Sequence, residues 1–102
     1  MNVRTRELIG PALDLAVARA WYGYDYQLPL PFFNPSIEWA QGGPLIELQG
    51  IIFLGPGDDS TYLACICRPY VAAIGHTHLI AAMRCYVASK LGDEVEIPEE
   101  LK

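Results

Sequence analysis

Thiol and imidazole side chains lie close together in the second half of the sequence. Cys65 and Cys67 are one residue apart, and so are His76 and His78. Thiolates and imidazoles are the ligands that zinc prefers, so these four residues form a candidate metal site. Their spacing matches no recognised zinc motif, and free cysteines on an apolar strand are usually core residues. We therefore predict neither a bound metal nor a cofactor.

A cysteine–histidine nucleophile pair is the second chemistry that these residue types allow. It would combine Cys85 or Cys67 with His76 or His78. Such a pair needs a lowered thiol pKa and a third group that orients the histidine, and the sequence signals neither. We interpret the cysteines as inert.

Carboxylates offer a third kind of chemistry. Glu7, Asp14, Glu38 and Glu47 would support acid–base catalysis if the fold brought two of them together. Spacing alone does not show that they meet. Residues 42–44, Gly-Gly-Pro, lack the lysine of a phosphate-binding loop and predict a tight turn. We lean against enzymatic activity and leave that question open.

Aromatic side chains are the best candidates for a binding surface. Residues 22–36 hold three tyrosines, two phenylalanines and three prolines, a composition that favours an ordered loop. Aromatics give a large contact area at a low cost in conformational entropy. The predicted binding surface consists of Trp39, Gln41, Glu47, Tyr24, Tyr26 and Arg84.

Two helices should position these groups. The last one is predicted to begin at the N-cap Thr77 and to stop at Gly92. Gly10 and Pro11 begin the other, which should end at Gly23, and Thr5 is a candidate cap for a short turn before it. Each helix carries an apolar stripe at helical spacing. In the last helix the stripe consists of Leu79, Ile80, Met83, Tyr86, Val87 and Leu91.

The middle of the chain predicts strands. Residues 45–54 are dense in large apolar side chains and predict a strand, with a bulge at Gly50. Residues 61–67 predict a second strand that forms an antiparallel hairpin with the first. Residues 70–74 are either a third short strand or irregular, and residues 93–97 predict a brief edge strand or an extended strap.

The order helix, strand, strand, helix predicts an α+β fold. Two amphipathic helices would pack on one face of a small antiparallel sheet, with extra short strands where the pattern allows them. A chain of 102 residues is the size of one domain, so we expect residues 1–102 to form a single domain.

Charge and composition narrow the classes of partner. The net charge of −5 argues against binding to nucleic acid, although Arg4, Arg6 and Arg19 are a candidate basic patch for a nucleic-acid adaptor. No apolar run is long enough to span a membrane, and the first eight residues lack the apolar core of a secretory signal. Three cysteines, an odd number, suit a reducing compartment. These observations predict a cytoplasmic protein.

Three blocks of sequence carry a family resemblance. They are TRELIG with LD and AVA in residues 5–18, SIEWAQGGPLIE in residues 36–47, and LIAAMRCYV through GDEV in residues 79–95. With these blocks the chain resembles the NinX-like family of small bacteriophage and prophage proteins, which has no assigned function. The family commonly has proline where this chain has His78. The resemblance implies expression inside a bacterial host from phage-derived DNA, and it carries over no catalytic residue.

The leading hypothesis is therefore a phage accessory protein that binds a host or phage protein. An apolar fraction of 52% also predicts spare apolar surface, so we expect a homodimer. The alternative is a small ligand-binding protein or enzyme with a pocket near Trp39 and Glu47. A nucleic-acid adaptor is the third possibility.

Overall fold

The computed structural model describes residues 2–23, 32–54, 61–67 and 70–101. Within them the chain forms three α-helices and two antiparallel sheets, which confirms the predicted α+β fold. Short 3-10 turns follow the first strand and the last one. The helices are α1 (Gly10–Tyr22), α2 (Trp39–Gln49) and α3 (His78–Leu91), and the strands are β1 (Asn2–Arg4), β2 (Ile52–Leu54), β3 (Tyr62–Cys67), β4 (Tyr70–Gly75) and β5 (Glu94–Glu96).

Helix α3 lies at the centre of the fold. The Thr77 hydroxyl accepts a hydrogen bond from the Ile80 amide at 3.0 Å, and the helix ends at Gly92, whose φ is 88°. The predicted cap and stop are both confirmed. The predicted stripe is buried except for the half-buried Leu91, and Ala81, Ala82 and Cys85 are buried as well. Helix α3 is therefore covered on more sides than an amphipathic stripe requires.

A three-stranded antiparallel sheet, in the order β2-β3-β4, packs against α3. Residues 70–74, which the sequence left open, belong to its third strand. At Gly75 the sheet lies very close to the helix, because a Cβ atom there would lie 2.5 Å from the Ala81 amide nitrogen. The absence of a side chain at Gly75 therefore lets the end of β4 approach the first turn of α3.

Helix α1 packs mainly against α3, and α2 packs against α3 as well. Proline in the first turn of α1 and Gly23 at its end are both as predicted. Every residue from Ala12 to Arg19 is buried, so α1 is enclosed on all sides along its middle. Only one of the two predicted helices thus lies directly on the sheet, and the other forms a further layer.

The two ends of the described chain meet in a second sheet. Strands β1 and β5 are antiparallel, with Val3 opposite Val95, so of the two predicted alternatives for residues 93–97 the strand is the one that forms. The prediction that Thr5 caps a turn is wrong, because its hydroxyl donates to the Gly92 carbonyl at 2.6 Å and Arg4 is the N-cap residue. Thr5 therefore fastens the N-terminus to the end of α3.

The predicted strand at residues 45–54 is wrong over most of its length. Residues 39–49 form α2, including the predicted turn at residues 42–44, and only Ile52–Leu54 is a strand. Gly50 is not a bulge but the left-handed C-cap of α2, with a φ of 66°. Glycine and proline both disfavour helix, so here tertiary packing overrides local propensity.

Gly42 shows what this packing requires. A Cβ atom at Gly42 would lie 2.6 Å from both the Pro35 carbonyl oxygen and Leu79 Cδ2. Helix α2 therefore approaches α3 and the preceding turn more closely than any side chain would allow.

In the part of the chain that the structure describes, no helix combines the length and the apolar character that a membrane span requires.

Candidate functional site

A cavity of about 360 Å³ opens where the first residues of α2, β3 and α3 come together. Its lining mixes apolar, aromatic and imidazole side chains. It includes Ile37, Trp39, Tyr62, His76 and His78, and these five residues are called the Trp39 site below.

The His78 ring lies among three aromatic rings. Its centroid is 3.9 Å from that of Tyr62 with a tilt of 31°, and 4.9 Å from that of Phe53 in an edge-to-face arrangement. The Trp39 ring is 6.4 Å away. His78 occupies the first position of α3, where helix geometry also accommodates proline. The histidine therefore forms part of an aromatic wall.

Trp39 and Ile37 are the exposed apolar groups of this site. Trp39 is 56% exposed and Ile37 is 65% exposed, although both are large apolar side chains. Trp39 is the first residue of α2, and the turn at residues 35–37 leads into it. The predicted binding residue Trp39 thus stands at the surface, beside a cavity with aromatic walls.

Gln41 holds the segment that precedes α2. Its Oε1 accepts a hydrogen bond from the Asn34 amide at 2.6 Å, and its Nε2 donates to the Phe32 carbonyl at 2.7 Å. It also lines a second cavity of about 430 Å³ with Trp21 and Tyr22. Because the oxygen and the nitrogen of its amide both bind backbone groups, Gln41 stabilises the conformation of residues 32–34 before α2.

Glu47 and Arg84, the other predicted binding residues that the structure describes, do not converge on Trp39. Glu47 is exposed on α2 and does not line the cavity that holds His76 and His78. Tyr24 and Tyr26 lie outside the described residues.

Arg84 lies elsewhere, in a third cavity of about 430 Å³ that Arg4 and Arg6 also line. Its Nε donates to the Leu8 carbonyl and its Nη1 to the Ile74 carbonyl, each at 2.8 Å. Burial lowers the pKa of Arg84 from its ordinary value. The guanidinium thus joins three separate segments of the chain.

The predicted basic patch is not formed as expected. Arg4 and Arg6 are exposed, but Arg19 is only 3% exposed and donates through Nη1 to the Glu96 carbonyl. The side chain therefore supports β5 from inside the fold. Only two of the three arginines remain available to contact phosphates.

The cysteines and histidines do not assemble a metal centre in the described part of the chain, which contains no group of three or more His, Cys, Asp or Glu residues placed to hold an ion. Cys65 is buried, whereas Cys67 is exposed, so the expectation of two core cysteines is correct for Cys65 alone. Cys85 is buried and donates through Sγ to the Val71 carbonyl at 3.3 Å. Burial raises the pKa of Cys85 to about 11, which keeps this thiol protonated at neutral pH.

Sequence reasoning missed the role of Asp14. This carboxylate is 5% exposed and accepts a hydrogen bond from the Ser36 amide at 2.9 Å. Burial raises the pKa of Asp14, and the contacts with Ser36 oppose that rise. The bond ties the turn before Trp39 to α1. A lone aspartate within the apolar run of α1 was the signal that could have revealed it.

Comparison with known proteins gives one positive finding. A family model described as "Bacteriophage P22, NinX" matches residues 29–90, a range that includes Trp39 and His78. No curated protein matches the chain.

Proposed function

The chain belongs to the bacteriophage P22 NinX family, and from that premise we propose that it is a phage accessory protein that binds another protein through the Trp39 site. It acts as a homodimer in the cytoplasm of the bacterial host. The partner presents an apolar or aromatic side chain that enters the cavity beside Trp39.

The single observation that carries this proposal is the exposure of Trp39 next to a cavity with aromatic walls. Tryptophan is enriched among the residues that dominate binding energy, and such residues act where they adjoin a pocket that excludes water. Ile37 lines the same cavity and, being exposed as well, adds apolar surface for a partner. The net charge of −5 suits a partner whose surrounding surface is basic.

The site is also held in place before any partner arrives. Asp14 binds the amide of Ser36, and Gln41 binds backbone groups of Phe32 and Asn34, so two side chains hold the segment that precedes Trp39. Preorganisation of this kind reduces the entropy lost on binding.

Affinity capture from phage-infected host lysate, quantified by mass spectrometry, tests the proposal. The purified wild-type chain is compared with Trp39→Ala and with Ile9→Ala. Ile9 is a matched control because it is 55% exposed, nearly the same as Trp39, and does not line the Trp39 site. We expect Trp39→Ala to reduce the captured partner at least about tenfold, while Ile9→Ala leaves it unchanged.

Circular dichroism of both variants shows whether the fold is retained, as expected for changes at exposed positions. Identical partner lists for wild type and Trp39→Ala would refute the site. Equal losses in the two variants would refute it as well.

A further inference from the structure

The sheet β2-β3-β4 has a second face, opposite the one that packs on α3. Strand register decides which side chains share it, because Ile52 pairs with Cys65 and Leu63 pairs with Ile74. The residues on this face, called the outer sheet face, are Ile52, Leu54, Leu63, Cys65, Cys67, Tyr70, Ala72 and Ile74.

The outer sheet face is apolar, and six of its eight residues are exposed, whereas Leu63 is half-buried and Cys65 is buried. Ile52 is 47% exposed, Leu54 51%, Ile74 55% and Tyr70 68%. None of its eight residues is charged. Since the opposite face is apolar too, each strand is a continuous apolar run, a composition typical of a sheet that is covered on both sides. A water-facing antiparallel sheet would instead alternate apolar and polar residues.

We propose that a second copy of this chain covers the outer sheet face, with sheet packed against sheet about a two-fold axis. The area is sufficient. The four large side chains expose on the order of 100 Å² each. With the smaller residues this gives roughly 500 Å² per copy, or about 1,000 Å² for the pair, the size at which specific interfaces begin.

Charge favours a second copy at this face over other parts of the surface. Two chains of net charge −5 repel each other, and a contact that buried a carboxylate without a partner would carry a further penalty. The eight residues of the outer sheet face bring no charged side chain into the contact. A two-fold pair is also self-complementary, because each copy presents the same face to the other.

This inference rests on the homodimer of the proposed function but not on the Trp39 site, since the two surfaces share no residue. Analytical ultracentrifugation with Ile74→Lys and Leu48→Lys tests it. Leu48 is the matched control, because it is 66% exposed on α2, lines a different surface with Trp21 and Tyr22, and is not part of the outer sheet face. We expect wild type and Leu48→Lys to sediment at twice 11.3 kDa at tens of micromolar. Ile74→Lys should weaken the dimer at least about tenfold, because it places a charge in the apolar contact.

Thiol labelling of the wild-type chain supplies a second readout that does not depend on a substitution. Cys67 is exposed in a single copy, whereas Cys65 and Cys85 are buried. Pulses of N-ethylmaleimide should modify Cys67 more slowly as protein concentration rises through the range in which the dimer forms.

A wild-type monomer at about 100 µM, well above the dissociation constants of most specific complexes, would overturn the homodimer and this surface together. A dimer that survives Ile74→Lys, or a Cys67 labelling rate independent of concentration, would overturn the surface alone. Either result leaves the capture experiment with Trp39→Ala unaffected, so failure here is distinguishable from failure of the Trp39 site.

Discussion

Two adjacent glycines in α2 should respond very differently to the same substitution. Both lie inside the helix, where alanine ordinarily gains about 1 kcal/mol in helix propensity over glycine. Apart from its chain neighbours, the nearest atom to a Cβ added at Gly43 is a Trp39 ring carbon at 3.9 Å, an ordinary contact. Pro44 follows Gly43 and disfavours helical geometry for a residue with a Cβ, which offsets the gain in propensity. Gly43→Ala should therefore change the free energy of unfolding by less than about 1 kcal/mol.

At Gly42 the same methyl group meets an occupied space. It would lie 2.6 Å from the Pro35 carbonyl oxygen, a backbone atom that cannot rotate away, and 2.6 Å from Leu79 Cδ2. Overpacking of this kind costs about 3 kcal/mol at the upper end of its usual range. After the gain in propensity, Gly42→Ala should lower the free energy of unfolding by about 2 kcal/mol.

Urea titrations followed by circular dichroism measure both variants against wild type. The two should differ by about 2 kcal/mol, or at least about 8 °C in melting temperature for a chain of this size. A turn at residues 42–44, as the sequence suggested, would give no such contrast. Equal effects of the two substitutions, or a stabilising Gly42→Ala, would refute the close packing of α2 against α3.

Three further outcomes follow from single side chains. Burial raises the pKa of the Asp14 carboxyl above its ordinary value of 3.8. The folded chain therefore binds the carboxyl proton more tightly than the unfolded chain does, and the contribution of Asp14 to stability falls as pH rises from about 3.8. Asparagine does not ionise, so the free energy of unfolding of Asp14→Asn minus that of wild type should increase from pH 3.5 to pH 7 in urea titrations. A difference that is independent of pH would contradict this. Thr77→Ala should lower the free energy of unfolding by about 1 kcal/mol through loss of the α3 cap, whereas Thr77→Ser should retain it. Arg84→Met should cost about 2 kcal/mol by removing the bonds to the Leu8 and Ile74 carbonyls, and a neutral effect in thermal melts would show that these bonds add nothing.

The candidate site was only partly readable from the sequence. Trp39 was predicted to lie at a binding surface, and its exposure beside a cavity supports the proposal built on it. The partners of Trp39 were not predictable, because His78 and Tyr62 reach it from distant segments of the chain. Arg84 was grouped with Trp39 but lies in a different cavity, since position along a helix does not reveal what faces it.

Local signals determined the elements whose ends are set by a few neighbouring residues. The Thr77 cap and the Gly92 stop bound α3, and a proline with Gly23 bounds α1, because caps and glycine stops act within one turn. The family resemblance rests on sequence as well, and the NinX family match to residues 29–90 bears it out.

Tertiary structure alone decided the rest. Helix α2 exists although its sequence holds two glycines and a proline, because packing of Gly42 against Pro35 and Leu79 outweighs local propensity. Strand register and burial together show that one face of the sheet is covered by α3 and that the other is apolar yet largely exposed. Which side chains meet across a fold depends on contacts between distant residues, and no local pattern in the chain encodes these.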